Sequence, residues 1–394
     1  MKKLLALALA LTMVFAFVAA CGDAPADGAD LEPVRIGILG PHTGPVAEFG
    51  LAVRDGALLY IDKFNDAGGL PNGRLIEPIL FDDEHDPVTA LMGYHYLLDR
   101  GVVAILGGVT SGPTMAVVPQ AFEDNVPMIT ASATHAGVTY DAETGTVFTN
   151  MFRTCFIDPF QGEKMAEFAY TVLNSQAAAV IYNLDIDYSI GLTYAFLEKA
   201  EAIGLNIVAV EGYSGDAVDF SGQLTNIAAQ NPDVLFIPDY HDVIALLSVQ
   251  ARSAGIDATL LGADGWSAVV DVMAADTTPV EGSFFLSGFS VEDESPLVQA
   301  FLADYVARFN EEPIMFAAQA YDAASILLTA IAAAEASGYE EGSHDYRSVI
   351  INSMAATDDT FVTGHITFDR YNNPVKTAFM IEIRDGQARF WGTF

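Results

Sequence analysis

VRIGILGPHTGPVAEFGLAVRDGALLYIDKFNDAGG, residues 34–69, decides the fold. Val34 to Leu39 is a short apolar run stopped by Gly40-Pro41. Val53, Ala57, Tyr60, Ile61 and Phe64 then recur at helical spacing until Gly68-Gly69 end the pattern. One strand is therefore followed by one amphipathic helix. The alternation continues outward from there. A strand is predicted over 75–81, and a helix after Asp86-Pro87, with the aspartate as N-cap and proline at the first helical position. A strand over 102–106, a helix from Pro113 and a strand over 127–130 follow. Strands alternating with helices imply parallel pairing, which is the signature of a doubly wound α/β sheet.

The pattern starts afresh after Arg153. Asp158-Pro159 reads as a second acidic N-cap with proline, followed by strands over 178–182, 207–210 and 234–237. Helices are predicted around 192–202, 220–229 and 243–254. A strand over 283–286, helices over 297–309 and 317–334, and short strands over 365–368, 379–383 and 388–391 complete the chain. The expected fold class is α/β, two doubly wound α/β lobes joined by a three-crossover hinge with an interlobe cleft. Lobe 1 is expected to hold residues 34–153 plus 288–377, and lobe 2 residues 154–287 plus 378–394. Ligands of open parallel sheets sit beyond the carboxyl ends of the strands, so two facing edges can enclose a small molecule.

At the other end of the chain, Lys2 and Lys3 precede an uninterrupted low-polarity run from Leu4 to Ala20, closing on Val18-Ala19-Ala20-Cys21-Gly22. This is a secretory signal with a cationic start and small residues before the cleavage point. The cysteine after the small pair resembles the lipobox of bacterial lipoproteins, which implies lipidation of Cys21 as the new N-terminus. Residues 1–20 are then a lipoprotein signal peptide and 21–33, small, acidic and proline-bearing, a flexible tether. Acyl chains contribute about 0.8 kcal/mol per buried CH₂, enough for a lipid anchor to hold the domain on the membrane, outside the cytoplasm. The longest later apolar run, 323–334, is bounded by Asp322 and Glu335 and reads as a buried helix.

A formal net charge of −35, which becomes −37 when Lys2 and Lys3 are removed, repels nucleic acid and anionic headgroups. Cys155 is the one cysteine besides Cys21, so an intrachain disulfide framework is excluded if Cys21 is lipidated. Gly107-Gly108-Val109-Thr110-Ser111-Gly112-Pro113-Thr114 follows a strand and opens a helix. It suits either an anion on free N–H groups and the Ser111 hydroxyl or an ordinary N-cap turn. There is no GxxxxGK[ST] or GxGxxG, so no phosphate loop is expected. Asp82-Asp83-Glu84-His85-Asp86 reads as a solvated acidic turn rather than a metal site, because adjacent residues of an extended loop cannot all face one ion. GxSxG, HExxH and CxxC are absent and the seven histidines show no ligand or triad spacing. The chain reads as a binding protein, not an enzyme, with no cofactor and no metal.

Gly44-Pro45-Val46-Ala47, Asp82-Asp83 before Asp86-Pro87, Ile129-Thr130-Ala131-Ser132-Ala133-Thr134 and Phe152-Arg153-Thr154 form an ordered set. With these motifs the chain resembles the branched-chain (Leu/Ile/Val-type) amino-acid binding proteins of bacterial ABC importers, over nearly all of its mature length. The resemblance implies the type I periplasmic binding fold, a free amino acid as ligand and ABC permease subunits as partners. It also implies the site. Ser111 and Thr134 would hold the ligand carboxylate, while the Ser132 carbonyl, Thr134 and Asp264 from the other lobe would hold the ammonium. Phe49, Tyr188 and Tyr240 match aromatic ligand-contact positions. Charge-assisted bonds in a dry cleft suit a zwitterion. Two departures stand out: the family's small disulfide would fall at His85 and Thr110, and Asp264 is one methylene shorter than the usual glutamate. Another small polar ligand of the same fold, such as an amide or a carboxylic acid, and a sensory role stay open, as does, from a different class, an extracellular hydrolase whose site carries none of these motifs.

Overall fold

A computed structural model describes residues 31–215 and 217–394. The expected signal segment, the lipid attachment at Cys21 and the tether as far as residue 30 lie outside the described residues. The first half runs β1 (Val34–Gly40), α1 (Ala47–Asp66), β2 (Ile76–Asp82), α2 (Pro87–Asp99), β3 (Ala104–Gly107), α3 (Ser111–Glu123) and β4 (Met128–Thr130). A small hairpin, β5 (Tyr140–Asp141) and β6 (Thr146–Val147), leads to β7 (Met151–Arg153). Five strands pair in the order β2-β1-β3-β4-β7, all parallel, with Ile36 opposite Pro78 on one side and Ala104 on the other. Asp86 caps α2 as expected, its carboxylate accepting from Thr89 N–H at 2.7 Å. Helix α3 begins at Ser111, two residues before the expected Pro113, because proline fits within a first turn whose N–H groups have no helical partner.

The second half runs α4 (Asp158–Thr171), β8 (Ala178–Asn183), α5 (Asp187–Ile203), β9 (Ile207–Tyr213), α6 (Ser221–Ala228), β10 (Val234–Phe236), α7 (His241–Ser253), β11 (Thr259–Gly262) and β12 (Phe284–Ser287). It continues through α8 (Pro296–Phe309), α9 (Met315–Ser337), α10 (His344–Ala355), a three-stranded sheet β13 (Asp358–Phe361), β14 (Gly364–Phe368) and β15 (Pro374–Val375), then β16 (Phe379–Arg384) and β17 (Gln387–Thr393). The larger sheet has the order β17-β16-β12-β11-β10-β8-β9, parallel except for β16 and β17. Strands β5, β6, β7, β11, β13 and β15 and helix α10 are absent from the sequence reading.

The chain passes between the two sheets three times, after β7, after β12 and between β15 and β16. Polar contacts knit these passages together. Thr154 Oγ1 donates to Gln319 O at 2.9 Å, and the Lys376 ammonium donates to Thr154 O at 3.0 Å and Thr363 Oγ1 at 2.7 Å. Buried Asp322 accepts the N–H groups of Val362 and Thr363. Helix α9 is long and apolar enough to span a bilayer, but it lies in the protein core with α1. The two helices touch backbone to backbone at Gly56, where a Cβ would come within 2.0 Å of Ala317 O.

Two local readings are corrected. Asp158 does not cap α4: Ile157 occupies the cap position, Asp158 is the first helical residue, and no side-chain cap bond forms. The preceding apolar stretch, Cys155-Phe156-Ile157, is buried or nearly so and carries the aspartate inside with it. The 82–86 turn is also not wholly solvated. Asp82 holds the loop after β1 through His42 N–H and the Thr43 hydroxyl, but Asp83 is buried and desolvation pushes its carboxyl up to about 6.

Candidate functional site

In each sheet the winding direction reverses once, between β1 and β3 in one and between β8 and β10 in the other. Loops that diverge at such a point leave a crevice at the carboxyl edge. The two crevices face each other. Phe49 stands in the first turn of α1 after β1, and Ser111 opens α3 after β3. Tyr188 is in the first turn of α5 after β8, and Tyr240 directly precedes α7 after β10. Ser132 follows β4 and Asp264 follows β11.

These six residues line one cavity of about 10 Å³, together with Val109, Thr110, Gly265 and Phe316. Space of that size holds about one water molecule. Thr134, the seventh expected residue, is set back from the cavity, buried, with its hydroxyl unpartnered. The walls are aromatic. Tyr188 and Tyr240 stack at 4.9 Å with 11° between their planes, and Phe49 meets Tyr240, His241 and Phe316 edge-on at 5.7, 4.5 and 4.9 Å.

The polar end is built around Asp264, which is 3 % exposed. Its Oδ1 accepts the Tyr188 hydroxyl at 2.8 Å, its N–H donates to Gln161 Oε1 at 3.0 Å, and Gly265 N–H donates to the Tyr188 oxygen at 2.7 Å. Only glycine fits at 265, since a Cβ there would stand 2.4 Å from Asp239 O. Desolvation pushes the Asp264 carboxyl up to about 6, against the lowering effect of the Tyr188 hydroxyl bond and the nearby Gln161 side chain. A buried carboxylate of this kind gains strongly from a cation brought to it.

Across the cavity, Ser111 Oγ accepts His135 N–H at 3.2 Å and the Ser132 hydroxyl donates to Val109 O at 2.7 Å. Their loop is pinned from below by Arg153. This fully buried guanidinium donates to Ala133 O at 2.9 Å, to His135 O at 3.1 Å and to Thr139 Oγ1 at 3.0 Å. Where the resemblance would place a disulfide, His85 Nδ1 lies 2.8 Å from Thr110 Oγ1, so a hydrogen bond ties the same two loops. Cys155 is free and buried, and burial pushes its thiol up to about 12, which removes thiolate reactivity. Among the described residues no group of three His, Cys, Asp or Glu side chains could hold a metal ion.

Sequence reasoning missed Phe316 and the role of Arg153. Phe316 belongs to a long apolar helix start with no local mark of a site, and an arginine in a three-residue strand gives no sign of which carbonyls it will meet.

Comparison with known proteins agrees with this architecture. A leucine-, isoleucine-, valine-, threonine- and alanine-binding protein of Pseudomonas aeruginosa is 27 % identical over 360 residues, 91 % of both chains. A Leu/Ile/Val-binding protein of Rhizobium johnstonii is 30 % identical over 81 % of this chain and 84 % of its own. The branched-chain amino acid transporter substrate-binding protein of Streptococcus pneumoniae, solved with isoleucine, superposes with a TM-score of 0.82 at 31 % identity, covering 92 % of this chain and 99 % of that one. Such relatives are binding proteins, in keeping with a site that has acceptors, donors and aromatic walls but no activated nucleophile. A family model described as periplasmic binding protein matches residues 33–388, and the chain belongs to that family.

Proposed function

We propose that this chain is the extracytoplasmic receptor of an ABC importer, binding a free amino acid with an aliphatic side chain between two closing lobes. The observation that carries the reading is the opposition of a buried carboxylate, Asp264, to the open start of α3 at Ser111 across an aromatic-walled cavity. A zwitterion needs donors for its carboxylate and an anion for its ammonium, and an aliphatic side chain suits walls of Phe49, Tyr240 and Phe316. The relatives named for leucine, isoleucine and valine support the same class. The Tyr188 hydroxyl now holds Asp264, so an incoming ammonium would take its place. Closure follows from contacts on both lobes. The hinge divides the chain into 34–153 plus 288–377 and 154–287 plus 378–394.

A thermal-shift screen over the amino acids and small amine-free acids tests this. A ligand at a hundred times its Kd raises stability by about 2.7 kcal/mol. Leucine, isoleucine or valine should give the largest shift; a shift with amine-free acids alone would refute the amino-acid reading. Delivery to permease subunits and lipid anchoring at Cys21 complete the proposal. Cys21→Ser should release the protein from membranes or block its processing, and unchanged membrane retention at normal mature size would defeat the anchor.

A further inference from the structure

Asp158, which the sequence offers as a helix cap, is fully buried at the start of α4, and neither of its carboxyl oxygens has a partner within hydrogen-bond geometry, the Thr134 hydroxyl being the nearest donor named for it. Its surroundings are unmatched as well. Thr134 Oγ1 and Gln161 Nε2 are buried without partners, although Thr134 O accepts Asp158 N–H at 2.9 Å and Gln161 Oε1 accepts Asp264 N–H at 3.0 Å. The first turn of α4 is thus bonded on one side to the Thr134 loop and on the other to the acid of the ligand cavity.

The charged groups around Asp158 come from every neighbouring element. Asp264 lies on the loop after β11, Asp187 opens α5, and Arg153 ends β7. The Arg153 guanidinium is committed to carbonyls and the Thr139 hydroxyl. His135 lies alongside, since a Cβ at Gly191 would stand 2.7 Å from Asp158 Oδ2 and 3.0 Å from His135 Cδ2. Its Nδ1 accepts Gly137 N–H at 3.1 Å, which marks the ring as neutral. The Tyr188 and Tyr240 hydroxyls are neutral too, held so first by burial. A closed cleft therefore sets two carboxylates, Asp264 on the cavity wall and the fully buried Asp158 near it, against a ligand with one ammonium.

Resting on the amino-acid reading above, we propose that the site takes up its ligand together with one proton from solvent, held by Asp158 beside Asp264. Ammonium and proton then neutralise the acid pair. Burial foremost, and the Asp264 charge after it, push the Asp158 carboxyl well above the usual range, against the nearby Thr134 hydroxyl. Parting the lobes to admit water would remove the burial that raises both acids, and a solvated aspartate is ionised at neutral pH. The closed complex then holds one more proton than its separated parts. Affinity falls as pH rises, by up to about tenfold per unit between the free and bound values.

Calorimetry of the full protein with leucine at pH 7.5, in phosphate and in Tris, measures the proton directly, because apparent enthalpy varies with buffer ionisation enthalpy in proportion to protons exchanged. At that pH ordinary histidines are roughly nine-tenths neutral already, so each can release about 0.1 proton at most, and uptake at a histidine is told apart by the Asp158→Asn variant, which it would survive. The expected result is uptake of about one proton by the wild type. Asp158→Asn, checked for folding by circular dichroism, should bring uptake near zero and flatten the pH dependence of affinity from 6.5 to 8.5. Leucine binding without proton uptake in the wild type overturns the proposal while the amino-acid reading stands, and no variant is needed for that outcome. Uptake that persists in a folded Asp158→Asn also overturns it, by moving the proton elsewhere. Failure of leucine, isoleucine and valine alike to bind would remove both.

Discussion

Asp264 and Ser111 sit on opposite walls of one cavity, and the cost of losing each differs in kind. Asp264→Ala removes the partner of the Tyr188 hydroxyl and, in the proposed function, that of the ligand ammonium. Truncating one member of a buried charge pair costs about 2 to 5 kcal/mol, or roughly thirty-fold to several thousand-fold in Kd. Ser111→Ala removes one hydroxyl and strands His135 N–H, while the N–H groups at the start of α3 remain. That loss should be about 1 to 2 kcal/mol. Calorimetry on both variants should rank Asp264 first by a wide margin; unchanged affinity in Asp264→Ala would remove the zwitterion from the site. Six of the seven expected residues meet at the cavity because each follows a strand end, a position that sequence patterning marks well. Thr134 is set back, because the turn that exposes Ser132 carries it to the buried side. Whether an acid caps a helix or is swallowed by it, as at Asp158, depends on how far the preceding apolar residues are drawn in, which periodicity does not encode.

Among the elements, β7 matters beyond its three residues. It closes the edge of the five-stranded sheet and delivers Arg153 beneath the loop that carries Ser132 and Thr134. Arg153→Ala would leave the carbonyls of Ala133 and His135 and the Thr139 hydroxyl without their donor. Loss of such a buried network should cost about 3 to 5 kcal/mol of unfolding free energy, readable in urea titration, with weaker ligand binding. Loss below about 0.5 kcal/mol would show that the loop holds itself. The short strands escaped sequence reading for physical reasons. Met151-Phe152-Arg153 is fully buried on both faces and so shows no alternation, and Thr259–Gly262 is only four residues long. Helix α10 buries only Tyr346, Ile350, Ile351 and Met354 among polar neighbours, a thin stripe whose one clear mark is the Ser343 cap on Tyr346 N–H.

For the molecule as a whole, several buried ionisable groups set the pH response of stability. Burial carries Asp83, Asp239 and Asp322 each up to about 6. The folded protein therefore binds more protons than the unfolded chain between about 4 and 6, so stability contributed by these groups is full below about 4 and lost as pH rises through 6. Lys376, pushed down to about 8, acts from the other side, with stability gained only as pH climbs from 8 toward 10.5. Buried His42, His85, His135 and His241, all pushed down chiefly by desolvation, oppose the acids below about 6.5. Lower pH also relieves the self-repulsion of a −35 chain. The acid contribution is isolated by substitution: Asp239→Asn should make the melting temperature fall less, or rise more, between pH 5.5 and pH 8 than in the wild type, and a scanning fluorimetry profile with the wild-type pH dependence would contradict it. The two-lobe plan was legible because long helices and apolar strands repeat over hundreds of residues; of the late strands, β14, β16 and β17 were legible only as isolated short strands, since pairing partners lie far apart in the chain.

The late segments also set a timetable. The first sheet is complete at Arg153, yet α9, which packs against α1 and the sheet beneath it, arrives only with residues 315–337. The second sheet gains its antiparallel edge, β16 and β17, from residues 379–393. Neither half can finish until these late segments have been made, and such long-range pairing is intrinsically slow. A chain stopped after residue 337 should accordingly be cut by protease far faster than the full chain. Late closure leaves the newly made polypeptide threadable for most of its synthesis, the state that the proposed export of this chain would require of a channel for unfolded polypeptides.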